Sequence, residues 1–214
     1  MPIRPIDHGI FAASGAGAPG AAYFGGGQIS GGTRQTKVEK FAYPDDTRTA
    51  LGTGLSAARN TLAGMANSGT AGYFAGGYVS SGATDVVDKF AFSDDSRTTL
   101  SSGISPGRDG VSGMANSGTA GYMGGGYQSG GPTQSVVDKF AFSDDSRSAL
   151  SSGLSSARSY TGAAANSGTA GYYAGASGYE DTVDKFAFPG DSRTTLGTGL
   201  ASGTGYLAGM ANEG

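Results

Sequence analysis

The chain has 214 residues, enough to bury a sizeable core as one domain, and carries a formal charge of −3 with only 14% charged residues. No basic patch speaks for nucleic acid. The absence of cysteine excludes disulfides, thiolate metal sites and thiol nucleophiles, and a lone His8 excludes a His-built metal centre within one chain. Glycine accounts for 41 residues, but it recurs at fixed positions without a Gly-X-Y triplet, which excludes collagen and argues for turns rather than disorder.

Residues 1–19 open with Met-Pro-Ile-Arg-Pro-Ile-Asp-His and read as an N-terminal arm. They lack the apolar centre of a signal peptide, and no run in the chain reaches the roughly 20 apolar residues of a membrane span. From residue 20 onward one unit recurs, over 20–60, 61–109, 110–159 and 160–204, and residues 205–211 repeat only its first segment. The marker Val-Asp-Lys-Phe, or its variant, ends at Phe41, Phe90, Phe140 and Phe186, spacings of 49, 50 and 46 residues and within the range of propeller-blade repeats.

The second unit shows the pattern. A small, weakly apolar run (61–67) leads to the turn Ser68-Gly69-Thr70, and Ala71–Gly77 reads as a strand closed by a double glycine. A polar loop from Tyr78 to Thr84 precedes 85–92, where Val86, Asp88, Phe90 and Phe92 share one face and Val87, Lys89 and Ala91 the other. Ser93–Ser96 is a turn, and Arg97–Leu100 a short β-prone run. Nothing has helical period. Four short strands per unit predict a four-stranded antiparallel sheet, which buries both faces only by stacking on its copies. A stacked solenoid is the second architecture.

These residues resemble kelch repeats of galactose-oxidase-like propellers. Gly26-Gly27, Gly76-Gly77 and Gly125-Gly126 match the family's double glycine, with Gly175-Ala176 in the fourth unit. Glu39-Lys40-Phe41, Asp88-Lys89-Phe90, Asp138-Lys139-Phe140 and Asp184-Lys185-Phe186 match its acidic-basic-aromatic strand, and Leu51, Leu100, Leu150 and Leu196 its leucine. The family's Trp position holds Arg48, Arg97, Arg147 and Arg193 instead, which suggests either a divergent branch or an arginine ladder paired with acids such as Asp94 and Asp95. The resemblance implies an all-β fold, a small β-propeller of about four kelch-like four-stranded blades over 20–214. The terminal 205–211 segment either closes the ring on the first unit, or residues 7–15 supply that unit's first strand and 205–211 pairs with another chain.

Sharp readings of single features yield to plain ones. The pairs Asp45-Asp46, Asp94-Asp95 and Asp144-Asp145 suit turns better than calcium, and Gly190-Asp191 breaks the pattern. Gly124-Gly125-Gly126 lacks the Lys and the helix of a phosphate loop. His8 is incidental. Arg59, Arg108 and Arg158 before the first strands are expected to pair with aspartates between units, and Thr204 takes their place in the last. Tyr78, Tyr127 and Tyr179 follow the second strands on loops of varied sequence, the candidate ligand rim.

No catalytic, cofactor or metal residue is assigned, and an enzyme is not expected. The Gly/Ser-rich repeats resemble kelch-like proteins of bacteriophages. That resemblance implies a virion structural protein (tail fibre, tail-tip part or capsid decoration), located in the virion, joined to other virion proteins through the arm, with host-surface glycan contact and homo-oligomers left open. A soluble glycan-binding propeller, a lectin or adhesin, is the alternative.

Overall fold

A computed structural model describes residues 20–43 and 45–211. The predicted arm and His8 lie outside the described residues.

The first unit forms a three-stranded antiparallel sheet of β1 (Ala21–Gly25), β2 (Val38–Ala42) and β3 (Arg48–Ala50). The second contains β4 (Ala63–Asn67), β5 (Ala71–Ala75), a two-stranded hairpin of β6 (Tyr78–Val79) and β7 (Gly82–Ala83), then β8 (Val87–Ala91) and β9 (Arg97–Thr99). The third is β10 (Ser112–Asn116), β11 (Ala120–Gly124), β12 (Val137–Ala141) and β13 (Arg147–Ala149). The fourth is β14 (Gly162–Asn166), β15 (Ala170–Ala174), β16 (Val183–Ala187) and β17 (Ser192–Thr195). Sheets two to four have four strands each, with every strand hydrogen-bonded to its neighbour in the chain apart from the hairpin excursion.

The predicted propeller is not what forms. Five open sheets result, the hairpin included, and no strand of the first sheet pairs with any strand of the fourth. Segment 205–211, expected as a strand on the first sheet or on another chain, does not pair with the first sheet of its own chain and lies against β14: Leu207 packs on Gly162, and a β-carbon at Gly209 would come within 2.6 Å of the Ala163 carbonyl oxygen. This placement follows from the joint itself. Each first strand stacks on the first strand of the preceding sheet, β10 on β4 and β14 on β10, and 205–211 continues the row rather than turning back. Four sheets joined this way leave both ends of the row open.

Stacking gives one apolar core per joint instead of a single centre. Between the first and second sheets lie Tyr23, Val38, Leu55, Phe74 and Phe90. Between the second and third lie Met65, Tyr73, Ile104, Met123 and Phe140, and between the third and fourth Met114, Tyr122, Leu154, Tyr173 and Phe186. The two-residue strand period explains the arrangement: adjacent residues such as Tyr73 and Phe74 face opposite neighbours. The repeated phenylalanines Phe90, Phe140 and Phe186 are fully buried because they face a preceding sheet. Phe41, with no sheet before it among the described residues, is half-buried and meets Phe24 edge to face.

The double glycines are fixed by the same stacking. Gly76 and Gly77 have φ of +64° and +103°, and Gly77 N–H donates to the Arg108 carbonyl of the incoming connection at 2.9 Å. A side chain at Gly76 would collide with that same carbonyl, 2.5 Å from the β-carbon position. Gly27 and Gly126 bind Arg59 and Arg158 carbonyls alike, and Ala176 binds that of Thr204.

Candidate functional site

Two features repeat through the stack: a polar clamp between sheets and a row of loops along one edge. The clamp starts from paired residues on the second and third strands of a unit. Tyr23 lies opposite Lys40, Tyr73 opposite Lys89 and Tyr122 opposite Lys139. Each pair reaches one aspartate on the turn of the next sheet. The Tyr23 hydroxyl donates to Asp95 at 2.5 Å and Lys40 Nζ pairs with it at 2.9 Å. Tyr73 and Lys89 hold Asp145 at 2.8 and 2.7 Å, and Tyr122 and Lys139 hold Asp191 at 2.7 and 2.5 Å. Each tyrosine ring also stacks on the next sheet's aromatic, Phe92, Phe142 or Phe188, at centroid distances of 5.1–5.4 Å.

The turn supplies the geometry. Asp95, Asp145 and Asp191 sit at φ of 58°, 59° and 55°, a left-handed conformation that aspartate tolerates better than most residues. The preceding Asp94 and Asp144 accept the N–H of Ser96 and Ser146, which closes the turn, and the side chains of these serines, followed by their N–H groups, hold the two carboxyls below the usual carboxylate range. The two aspartates of each pair thus have separate tasks. Gly190 replaces only the first, so Gly190-Asp191 keeps the clamp.

Burial, together with the hydrogen bond to Asp95, pushes the Tyr23 hydroxyl up to about 12. Tyr73 and Tyr122 are raised further for the same two reasons. For Lys40, burial lowers the ammonium, but its bonds to Asp95 and Tyr23 outweigh that and raise it.

Deeper in each joint lies an ion pair. Arg59 pairs with Asp88 at 2.9 Å, Arg108 with Asp138 at 2.5 Å, and Arg158 with Asp184, every side chain fully buried. The arginines predicted to form a ladder with Asp94 and Asp95 instead cap the outer oxygen of these buried acids. Arg97 approaches Asp88, Arg147 binds Asp138 and Arg193 binds Asp184. Asp95 is unavailable to them because the preceding sheet's Tyr23 and Lys40 occupy it. In the first sheet Arg48 binds Glu39 at 2.7 Å on the surface. A third link joins turn tips: Asn67 and Asn116 side chains accept the N–H of Gly118 and Gly168 in the following sheet.

Along one edge run the loops after the second strands. They are tied to the connections entering each unit by the bridges Asn60–Tyr78 and Asp109–Tyr127, and by the Ser177 N–H on the Ser159 carbonyl. Neighbouring loops touch. Arg34 donates to Asn60 and lies 4.8 Å over the Tyr78 ring, and a β-carbon at Gly82 would come within 2.6 Å of Ser129 Oγ. Of the three predicted rim tyrosines, Tyr127 is 42% and Tyr179 70% exposed, whereas Tyr78 is half-buried beneath Arg34. Ile29, 55% exposed, joins this edge from the first unit, where no sequence signal marked it.

No family model matches this chain, and no curated protein matches it. The kelch resemblance therefore has neither a matching family nor a closed ring behind it. The readings as a virion structural protein and as a glycan-binding propeller fall with it. Their ground was a propeller and a likeness to phage proteins, and neither is found.

The clamp acids and their tyrosine and lysine partners escaped the sequence reading. The signal was there: a Tyr follows each Ala-Gly or Ala-Ala at the start of the second strand, and the second acid of the turn recurs four times, at Asp46, Asp95, Asp145 and Asp191. Only the stack shows that they belong to different sheets.

Proposed function

We propose that this chain is a non-catalytic protein-binding scaffold whose stacked sheets hold a row of variable loops against a partner protein. The carrying observation is the loop edge, where exposed Tyr127, Tyr179 and Ile29 stand among Gly, Ser and Gln on a rigid repeated frame. Tyrosine contributes large contact area with little rotamer entropy, and Ser, Gly and amide side chains adapt their hydrogen bonds, a composition shared with protein-binding paratopes. The buried charges support the non-catalytic reading. Among the described residues each has a structural partner, Asp109 included, which accepts the Tyr160 hydroxyl at 3.2 Å.

The test uses the full-length chain and a Tyr127→Ala/Tyr179→Ala variant, both immobilised and exposed to protein from the source cells. A captured partner must bind the purified chain directly, and its affinity must fall by about tenfold or more in the variant while the melting temperature stays unchanged. A directly binding partner that ignores both substitutions overturns the loop-edge assignment.

A further inference from the structure

The two ends of the stack carry complementary halves of the clamp that joins every internal pair of sheets. On the fourth sheet Tyr172 lies opposite Lys185, as Tyr73 does opposite Lys89, but no following sheet supplies the aspartate and aromatic. Tyr172 is accordingly half-buried where Tyr73 and Tyr122 are buried. On the first sheet Asp46 holds the same left-handed turn conformation, φ 55°, and Tyr43 occupies the place of Phe92 and is 38% exposed. Among the described residues neither half has a partner.

The apolar surfaces match as well. Phe24 is 50% exposed, whereas its counterparts Phe74, Met123 and Tyr173 are buried against the preceding sheet. Phe74 lies over Gly25 and Tyr173 over Gly124, and the corresponding position on the fourth sheet is the half-buried Ala174. The strand inventory is complementary too. The first sheet has three strands and lacks an inner one among the described residues, while 205–211 repeats the inner-strand sequence with Met210 78% exposed. Even the buried ion pair is absent from both sides together. Thr204 stands where Arg59, Arg108 and Arg158 stand, and Glu39 is already satisfied by its own Arg48, so no charge would be stranded.

We infer that copies of this chain join head to tail, the first sheet of one copy docking on the fourth sheet of the next. Tyr172 and Lys185 of one copy grip Asp46 of the second, and Tyr43 of the second stacks on Tyr172. Segment 205–211 becomes the missing inner strand beside the second copy's β1. The β4–β5 register sets Met210 opposite Tyr23 and Ala211 opposite Ala22, by analogy with Met65–Tyr73 and Ala66–Gly72. The interface is heterologous, so it generates open rows or closed rings. The occupant is a second copy because three internal joints already show this pairing filled by residues of the same kind.

The test is a charge swap followed by light scattering on the full-length chain. Wild type is expected to show a mass that rises with concentration, and Asp46→Lys alone and Lys185→Asp alone to remain monomeric. Mixing the two variants should restore association, because each head then meets a tail of opposite charge. Since the chain has no cysteine, Ala22→Cys and Ala211→Cys supply a second readout. Oxidation of the mixed single variants should give only the 22–211 disulfide dimer. A wild type that stays monomeric at all concentrations overturns the inference. So does a double-cysteine chain that closes only on itself, which would instead join the two ends within one molecule.

Discussion

Each buried arginine holds a carboxylate that water cannot reach. Arg108→Met would leave Asp138 buried with only Arg147 and the Ser105 N–H, so we predict a loss of about 3 kcal/mol in a urea titration. The double variant Arg108→Met/Asp138→Leu should lose clearly less than the two single variants summed. Tyr73→Phe removes one hydrogen bond to Asp145 while keeping the ring stacked on Phe142, and a smaller loss of about 1–2 kcal/mol is expected by the same titration. The clamps also set a pH limit. A tyrosine whose folded pKa is raised contributes stability that is fully present below its unfolded value of roughly 10. For Tyr23 that contribution is lost as pH rises from there towards about 12, so the melting temperature should fall across this window and fall less in Tyr23→Phe. On the acid side, burial pushes the Asp184 carboxyl up. The Ser155 N–H and hydroxyl, the Thr195 hydroxyl and Arg158 outweigh it and hold the group low. Its contribution is present above the usual carboxylate range and disappears as pH falls through the lowered value.

At the level of strands and turns, much was legible. The alternation in Val-Asp-Lys-Phe-Ala marks β8, β12 and β16, and Asn-Ser-Gly-Thr marks the turn between the first two strands of the second, third and fourth units, because both signals are local. The partner of a given side chain was not legible. Asp95 is one residue from Ser96 and two from Arg97 in sequence, yet it serves Tyr23 and Lys40, 72 and 55 residues away. A repeat of near-identical units tells which residues recur, but not whether a contact lies within a unit or reaches the next. The same ambiguity misled the architecture: a period near fifty is shared by rings and open rows, and the close approach of one sheet to the next, Phe74 over Gly25 and Tyr173 over Gly124, has no one-dimensional signature. Of the loop edge, Tyr127 and Tyr179 could be found by their position after the double glycine or its variant. Tyr78 could not be separated from them, since its cover is Arg34 of another unit. An expected outcome at this scale is that Gly124→Val, which forces a side chain against the Tyr173 ring, lowers the melting temperature sharply, whereas Gly118→Ala, at an open turn tip, lowers it only slightly.

For the whole molecule, stability is a sum of sheets and of nearest-neighbour joints, because among the described residues the main contacts between sheets join those adjacent in sequence. In a single copy the end sheets have one joint each, so in the monomeric Asp46→Lys variant amide hydrogen exchange should be fastest in β1–β3 and slowest in the second and third sheets. A different consequence follows from the identity of the clamps. Residues 110–159 form one full period, and without them Tyr73 and Lys89 would meet Asp191 and Phe188, the same chemical partners they have now in Asp145 and Phe142. The length of the row is therefore a free variable of the gene: whole units can be gained or lost by recombination between near-identical stretches, and every product inherits working seams.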